Sequence, residues 1–312
     1  MFTATRLTQA LFVAGATFLA GSAHADAYAV ATDNIRNGSV TPTAGITFGT
    51  VSANSSSSAV LNASFAAGAS IVFNPDAPVS AVGSAAGRAN ELGSPYYTLM
   101  GPNGTDYSWG DAIVNQEQTP TKLLRARNAA ETNIAKLGFG NADGTNRSST
   151  LLTVGTCPGG CSLSFRFEAD PYILASVDAL ASADSSASGT LDFGITLTRL
   201  GAGGGIVFSW KPNGAAGGII GGTEFLDPES LNLTQTAFAG ETTTHSPPYG
   251  ALGFGSYSAM TDLLAPGKYT LALSMNEKTD VLRAPAVPEP ETYALMLAGL
   301  GAMGFVARRR KS

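Results

Sequence analysis

Hydrophobic and polar residues alternate along three segments of the chain. In the first, Leu163, Phe165 and Phe167 interleave with polar or charged residues, and the same period of two returns at 191–197 and 269–275. A period of two sustained over roughly seven residues is typical of a β-strand with one buried face. Shorter strands are expected at 46–51, 59–65, 71–73, 151–154 and 206–210.

Turn-forming residues separate these strands. Pro-Asn-Gly stands at 102–104 and at 212–214, and Ala-Pro-Gly stands at 265–267. Proline and glycine impose or tolerate the backbone angles that tight turns need. Many short strands with turns between them predict an all-β body over 26–284, an antiparallel β-sandwich of jelly-roll or Ig-like type. Segments of low complexity are expected to be loops, at 52–58, 181–188, 201–205 and 214–222.

One segment, 122–137, departs from the alternation. Its hydrophobic residues recur at helical spacing, with Thr121 placed as an N-cap and Gly138 just past the end. The pattern predicts one amphipathic helix that is docked on the sheets and has a packing role. The residues that define this spacing are Leu123, Ala126, Ala130, Ile134 and Leu137.

The composition indicates where the protein resides more clearly than what it does. The chain has 312 residues, of which only 13% are charged and 37 are glycine, which suits an extracellular β protein better than a cytoplasmic enzyme. Without Arg6 and the four basic residues at the C-terminus, 13 of the 18 basic residues face 23 acidic ones. A body this acidic lacks the basic surface that binds phosphate backbones, so nucleic acid is not an expected partner.

The first 25 residues have the composition of a secretory signal peptide. Arg6 is the lone positive charge, residues 10–20 are apolar, and Ala23 and Ala25 are the small residues that a signal peptidase needs before its cut. Because the apolar stretch has no polar side, it is not expected to be a buried amphipathic helix. Signal peptidase is therefore an expected partner, and cleavage leaves Asp26 as the new N-terminus.

The C-terminus has three parts in a fixed order: a Pro-Glu-Pro block, an uncharged apolar run at 293–307 and a basic cluster. The 15 residues of the run span only about 23 Å as a helix, less than the ~30 Å of the hydrocarbon core, so they predict a marginal transmembrane helix. The basic cluster is expected to stay cytoplasmic, which places the body outside the inner membrane. The block comprises Val287, Pro288, Glu289 and Pro290, and the cluster comprises Arg308, Arg309, Arg310 and Lys311.

These three parts resemble the PEP-CTERM sorting signal of exosortase substrates, a family of exported proteins in Gram-negative bacteria that produce exopolysaccharide. The resemblance covers residues 285–312 and implies that an exosortase recognises Pro288, Glu289 and Pro290 and removes the helix. It also implies that the inner membrane holds the protein transiently, before transfer to the cell surface or extracellular matrix. Members tend to be non-enzymatic matrix or surface components. A permanent membrane anchor is the alternative interpretation.

The only two cysteines, Cys157 and Cys161, enclose Pro-Gly-Gly between two predicted strands. In an oxidising compartment this spacing favours a disulfide that clamps a hairpin and fixes its register. A zinc site needs about four ligands, and after signal removal only His245 remains beside the cysteines. Pro158 argues against a cysteine nucleophile, because proline has no N–H for an oxyanion hole. No metal and no cofactor are expected.

Candidate catalytic groups are few, and no catalytic residue is expected. His245 is the sole imidazole of the mature chain and is predicted to lie in a solvated loop, without the partners of a hydrolase triad. Asp106 and Asp111 are the first carboxylate pair to consider for glycoside hydrolysis. Residues 141–146 place oxygen ligands at alternate positions around a glycine, a fragment of a calcium loop, but a polar turn is the preferred interpretation.

Aromatic side chains supply the remaining candidates. Trp109 and Trp210 are possible glycan contacts, since flat rings stack on sugars, although tryptophan is more often buried between sheets. Two hypotheses for function follow from these observations. The first is a non-enzymatic structural or adhesive protein associated with exopolysaccharide or biofilm. The alternative is a secreted polysaccharide-active hydrolase or a carbohydrate-binding module.

Overall fold

The computed structural model describes residues 26–63, 69–74, 77–82, 87–89, 104, 106–116, 124–246, 253–285, 297–300 and 303. Within these ranges almost all regular structure is β-strand, and the strands form two sheets. The prediction of an all-β body is therefore confirmed.

Sheet A contains nine of these strands. In chain order they are β1 (Ala27–Pro42), β5 (Gly87–Ala89), β6 (Tyr107–Gln116), β7 (Leu124–Ile134), β9 (Leu163–Ala169), β10 (Tyr172–Val177), β14 (Gly222–Leu226), β16 (Thr242–His245) and β17 (Gly255–Thr261). Their spatial order is β14-β17-β9-β1-β7-β6-β5, and β10 and β16 continue the sheet beside β1.

Sheet B contains the other nine. They are β2 (Ile46–Ala63), β3 (Ala69–Asn74), β4 (Ala77–Val82), β8 (Gly138–Val154), β11 (Ser186–Arg199), β12 (Gly205–Trp210), β13 (Ile219–Ile220), β15 (Asn232–Phe238) and β18 (Gly267–Arg283). Their spatial order is β13-β12-β11-β18-β8-β2-β3-β4, and β15 pairs with β11.

Each sheet contains a long strand with one edge that is shared by two shorter strands. In sheet A, β1 pairs with β7 on one edge, while β10 and then β9 line the other. In sheet B, β11 pairs with β18 along its whole length, while β15 and then β12 line its other edge. Strands that pair in one sheet are often not consecutive in the chain, because the chain passes repeatedly from one sheet to the other.

The inner faces of the two sheets pack against each other. Asn128 of β7 donates hydrogen bonds from Nδ2 to the carbonyl oxygens of Gly144 and Met275 in sheet B, at 2.9 Å each. The largest hydrophobic cluster also takes side chains from both sheets, and the rings of Phe165 on β9 and Phe208 on β12 stack 5.1 Å apart. The body is therefore a β-sandwich.

The interior of the sandwich changes character along the strands. One part, the aromatic half, is filled by large side chains that are at most 1% exposed, including Phe165, Phe193, Phe208, Trp210 and Tyr257. The other part, the small-residue half, contains few aromatic rings and many buried alanine and threonine side chains beside larger ones such as Ile134 and Leu61. The small residues are Ala29, Ala31, Ala59, Ala130, Ala142, Ala187, Thr132 and Thr279. Between them lies a layer of buried polar side chains, formed by Asp33, Ser55, Asn128, Asn146 and Glu277.

Glycine lets the two sheets approach closely in the small-residue half. A Cβ atom built on Gly110 of β6 would lie 2.6 Å from the carbonyl oxygen of Ser58 on β2. A Cβ atom on Gly189 of β11 would lie 3.0 Å from the carbonyl oxygen of Val30 on β1. Backbone meets backbone across the interior at these points, so even a methyl group does not fit without displacement of a sheet.

The predicted helix at 122–137 is wrong, because the structure places most of this segment in β7 and in the turn before β8. Ala126, Ala130 and Ile134 do face the interior, as the helix prediction required. A spacing of four, however, fits the period of two in a strand as well as the period of 3.6 in a helix. The polar Asn128 also faces inward, so hydrophobic and polar residues do not alternate regularly along β7.

Two polar segments that were predicted as a loop and a turn are strands. Residues 52–58 belong to β2 and residues 141–146 belong to β8, and the two segments pair with each other. Two of the inward polar side chains bond to each other, since the Ser55 hydroxyl donates to Asn146 Oδ1 at 2.5 Å. The predicted loop at 201–205 is confirmed for 201–204, the turn before β12, which begins at Gly205.

Both ends of the folded body lie at the same end of the sandwich, called here the terminal pole. β1 begins at Ala27, opposite Ile134 of β7, and β18 ends at Arg283, opposite Gly138 of β8. Because Ile134 and Gly138 are joined by the turn at 135–137, the two chain ends are neighbours. The guanidinium group of Arg283 donates a hydrogen bond to a carbonyl oxygen of that turn.

Two further turns, at 178–185 and 239–241, complete the terminal pole. The Val177 N–H donates to the Glu241 carbonyl oxygen at 3.0 Å, so these turns lie side by side. The opposite end, called here the disulfide pole, carries the loop that contains Cys157 and the turn at 200–204. The long strands of both sheets connect the two poles.

Candidate functional site

The outward side of sheet B is a continuous polar surface, called here the polar face. Four neighbouring strands, β2, β8, β18 and β11, alternate inward and outward residues in register, so their polar side chains align in rows. One row runs from Asn54 through Arg147 to Ser274, and all three residues are exposed. The outward polar residues are Ser52, Asn54, Ser56, Ser58, Asp143, Thr145, Arg147, Ser149, Ser188, Thr190, Asp192, Ser274, Asn276 and Lys278.

Hydrogen bonds connect neighbouring strands of the polar face. Thr145 Oγ1 donates to Asn276 Oδ1 at 2.7 Å, and the hydroxyl groups of Thr190 and Thr234 lie 2.9 Å apart. Hydroxyl groups act as both donors and acceptors, whereas amides and carboxylates add further acceptors. The polar face therefore presents to solvent the same hydrogen-bonding groups that complement the hydroxyls of a sugar chain.

The oxygen-rich segment at 141–146 does not form a calcium loop or a polar turn. Its side chains alternate along β8, so Asp143 and Thr145 lie on the polar face whereas Asn146 lies in the interior. Ligands on opposite sides of one sheet do not converge on a single ion. In the described part of the chain, no three His, Cys, Asp or Glu side chains gather as a metal site would require.

Both tryptophans that were candidates for glycan contact are buried. Trp109 is 8% exposed and Trp210 is 0% exposed, so neither ring offers an open face to a sugar. Trp210 packs in the aromatic half against Phe167, with the ring centroids 5.4 Å apart. The structure thus contradicts glycan contact through these rings, because the hydrophobic effect favours their burial between the sheets.

An open pocket of about 370 Å³, called here the corner pocket, lies where the chain passes from β13 in sheet B to β14 in sheet A. Glycine and alanine leave the backbone accessible on one side of it, and the ring of Phe225, which is 57% exposed, lies on another. Its lining residues include Gly217, Gly222, Thr223, Glu224, Phe225 and Asp227.

The carboxyl groups of Glu224 and Asp227 lie in contact in the corner pocket. Glu224 Oε1 accepts a hydrogen bond from Trp210 Nε1, and Asp227 Oδ2 accepts from the N–H groups of Asn213 and Gly214 at 2.8 and 3.0 Å. The other oxygen of each carboxyl group is buried and receives no hydrogen bond. Burial, followed by the neighbouring Glu224, raises the pKa of Asp227 to about 6. Asp227 therefore gains its proton as the pH falls through about 6.

A second pair of acids lies in the polar layer of the interior. Asp33 is 1% exposed and Glu277 is 0% exposed, and Oδ2 of Asp33 and both carboxyl oxygens of Glu277 receive no hydrogen bond. Burial, with a smaller effect from the Asp170 carboxyl, raises the pKa of Asp33 to about 7. Burial and then the charge of Asp33 raise the pKa of Glu277, as do Asp143 and Asp192. Burial therefore favours the neutral form of both carboxyl groups, and Asp33 is neutral below about pH 7.

The other candidate residues from the sequence, Asp106, Asp111 and His245, lie at a turn or in strands. Asp106 accepts hydrogen bonds from the N–H groups of Ala135 and Lys136 at 2.8 and 2.9 Å, so its carboxylate caps a turn of the terminal pole. Asp111 lies in β6, and its side chain is outside the described residues. His245 lies in strand β16 rather than in a loop, and burial lowers its pKa.

Cys157 and Cys161 form the predicted disulfide. Within the ring the Gly160 N–H donates to the Cys157 carbonyl oxygen at 3.0 Å, which closes a tight turn. The bond does not clamp a hairpin, because β8 before it belongs to sheet B and β9 after it belongs to sheet A. It instead constrains the crossover between the two sheets at the disulfide pole.

The C-terminal segment matches a known protein-sorting motif. A family model described as the PEP-CTERM protein-sorting motif matches residues 286–311. The chain carries a PEP-CTERM sorting motif. The match spans the Pro-Glu-Pro block, the apolar run and the basic cluster together, which confirms the resemblance of this segment. No curated protein and no solved structure matches the chain.

The PEP-CTERM motif indicates an exported protein that is targeted to an exosortase and held in the membrane by its C-terminus before processing. Of the predicted transmembrane helix, the structure describes residues 297–300 and 303, which are helical. No helix among the described residues has the length and hydrophobicity to span a bilayer. The predicted signal peptide at 1–25, the Pro-Glu-Pro block and the basic cluster lie outside the described residues.

Sequence reasoning missed both pairs of acids. Glu277 had a signal, because it continues the alternation of β18 two positions after Met275 and should therefore face inward. Its partner Asp33 lies on a different sheet, and no local pattern links residues that are so far apart in sequence. The pair of Glu224 and Asp227 depends on the bulge between β14 and β17, which the sequence does not reveal.

Proposed function

We propose that the mature protein is a non-enzymatic structural or adhesive component of the cell surface or extracellular matrix, in contact with exopolysaccharide. The observation that carries this proposal is the PEP-CTERM motif at 286–311. An exosortase recognises the block Val287, Pro288, Glu289 and Pro290 and removes the helix with the cluster Arg308, Arg309, Arg310 and Lys311. The disulfide supports an oxidising destination, where such a bond persists.

The polar face is the proposed contact surface for polysaccharide. It offers rows of hydroxyl, amide and charged groups over several strands, so one sugar chain can make many weak hydrogen bonds at once. Repeated weak contacts along one polymer add to a high overall affinity even when each contact alone is weak. This supports adhesion to a polymer rather than capture of a small ligand.

A pull-down of exopolysaccharide from the native host tests this contact surface. The variant N54A/R147A/S274A removes one exposed row of the polar face. Binding of the polysaccharide by this variant should fall at least tenfold relative to the wild type. The control variant R166A/S256A removes exposed polar groups on the outward side of sheet A and should bind normally. Equal binding by all three proteins would exclude the polar face as the contact surface.

A polysaccharide hydrolase is the second candidate function, and the corner pocket is the observation that favours it. Glu224 and Asp227 are two acids at an open pocket with a raised pKa for one of them. Hydrolysis by two carboxyl groups, however, usually needs them at least ~5 Å apart, whereas these two are in contact. Release of reducing sugar by the wild type but not by Asp227→Asn would establish the hydrolase, and its absence would favour the adhesive role.

A further inference from the structure

The folded body is tied tightly to the segment that carries the sorting motif. The guanidinium group of Arg283, the last residue of β18, donates a hydrogen bond to Ala135, and the N–H of Ala284 donates to Ser185 Oγ at 3.1 Å. The chain is therefore held against the terminal pole as far as Ala284. Only four further residues lead to Pro288, and even fully extended they reach no more than about 14 Å.

The processing enzyme must therefore work directly beside the terminal pole. β18 contains 17 residues, and at ~3.3 Å per residue it separates the two poles by about 55 Å. This distance is several times the reach of the connecting residues. The disulfide pole thus lies far from the cleavage site, whereas the terminal pole lies within reach of any enzyme that binds Pro288.

The surface of the terminal pole has the composition of an interface. Three large hydrophobic residues are exposed there, namely Leu137 at 41%, Leu180 at 69% and Phe238 at 54%. The same turns carry the exposed acids Asp178, Asp184 and Glu241, and one exposed base, Lys136, stands beside Leu137. Three acids against one base disfavour contact with an anionic lipid surface. A protein is therefore the better fit for the three exposed hydrophobic residues, called here the apolar centre.

We propose that the terminal pole is a docking surface for the membrane protease that processes the C-terminus. The occupant is the outward-facing side of the exosortase, which would present an apolar area with basic residues near it. Docking holds the Pro-Glu-Pro block close to the active site and so raises its effective concentration there. This inference rests on the PEP-CTERM motif and is independent of any contact with polysaccharide.

Pulse-chase measurement of C-terminal processing in the native host tests the proposal. The variant L180D/F238D places charges in the apolar centre of the terminal pole and should be processed at least threefold more slowly than the wild type. The matched control L200D/L263D changes two exposed leucines at the disulfide pole, 43% and 73% exposed, and should be processed at the wild-type rate. Equal rates for all three proteins, or equal slowing of both variants, would overturn the proposal.

A longer connection between the body and the Pro-Glu-Pro block distinguishes loss of docking from misfolding of the variant. Twelve Gly and Ser residues inserted after Pro285 let the block reach the protease without contact between the protease and the pole. With this insertion, the wild-type body and the L180D/F238D body should be processed at the same rate. A difference that persists would contradict docking. Polysaccharide binding by the mature L180D/F238D protein should remain normal, so failure of the adhesive role is seen separately from failure of docking.

Discussion

The aromatic half and the small-residue half of the sandwich solve the same packing problem in different ways. In the first, rings such as Phe165 and Phe208 fill the space between two well-separated sheets. In the second, glycine and alanine remove side-chain bulk, and the sheets meet almost backbone to backbone at Gly110. The comparison teaches that stability depends on large side chains in the aromatic half and on the absence of side-chain bulk in the small-residue half. The two buried acids, Asp33 and Glu277, lie between these halves.

The largest expected effect is in the small-residue half. Gly110→Ala places a methyl group against the carbonyl oxygens of Ser58 and Asp143, which cannot move without displacing β2 and β8. The free energy of unfolding, measured by urea titration, should fall by more than about 5 kcal/mol, an exceptional loss for one methyl group. Gly205→Ala is the control, since its Cβ meets open space, and it should change stability by less than about 0.5 kcal/mol.

Removal of volume should be the damaging change in the aromatic half. Phe165→Ala deletes a ring that is 1% exposed and stacked on Phe208, so the free energy of unfolding should fall by about 3 to 5 kcal/mol. Phe225→Ala removes an exposed ring of the same size and should cost far less. Similar losses for the two variants in urea titration would show that the aromatic half is not the tightly packed part of the interior.

The acids between the halves predict an unusual dependence of stability on pH. The pKa of Asp33 is about 7 in the folded protein and about 4 in an unfolded chain. The folded state therefore holds the proton more tightly, and this stabilisation is complete below pH 4 and lost as the pH rises through 7. The free energy of unfolding should fall by up to about 4 kcal/mol across that range.

The neutral double variant D33N/E277Q isolates this effect. It keeps the shape of both side chains but cannot ionise, so its free energy of unfolding should exceed that of the wild type at pH 8 and match it more closely at pH 4. The comparison uses urea titrations at unit intervals of pH. Parallel pH profiles for the two proteins would contradict the assignment of Asp33 and Glu277 as buried neutral acids.

The smallest expected effect is at the disulfide pole. Only three residues separate Cys157 from Cys161, so the bond removes little entropy from the unfolded chain. C157A/C161A should lower the free energy of unfolding by about 2 kcal/mol or less. Reduction of the wild type with dithiothreitol should give a shift of the same size. A loss as large as that of Phe165→Ala would mean that the crossover contributes more to folding than its length suggests.

The parts of the fold that were predictable are those in which hydrophobicity alone alternates. β9 and the first part of β18 follow from Phe165, Phe167, Tyr269 and their neighbours, because one face of each strand is apolar. β7 and the polar part of β8 were not predictable in this way. Their inward residues include Asn128, which donates hydrogen bonds to the carbonyl oxygens of Gly144 on the next strand and of Met275 on the distant β18.

The candidate sites differ in the same way: some were predictable from the sequence and others were not. The disulfide and the sorting motif are local in sequence, so the residues themselves reveal them. The polar face and the corner pocket depend on strand register and on a crossover, and both arise only when distant strands pair. Burial of Trp210 similarly depends on rings from other strands, such as Phe167, and not on its own neighbours in the chain.

The central claim is that the C-terminal helix is a removable sorting signal. Mass spectrometry of the C-terminal peptide, from protein recovered at the cell surface of the native host, tests it most directly. The account predicts a chain that ends at or near the Pro-Glu-Pro block and lacks Arg308 and Lys311. Recovery of surface protein with an intact Arg308 to Lys311 tail would contradict it.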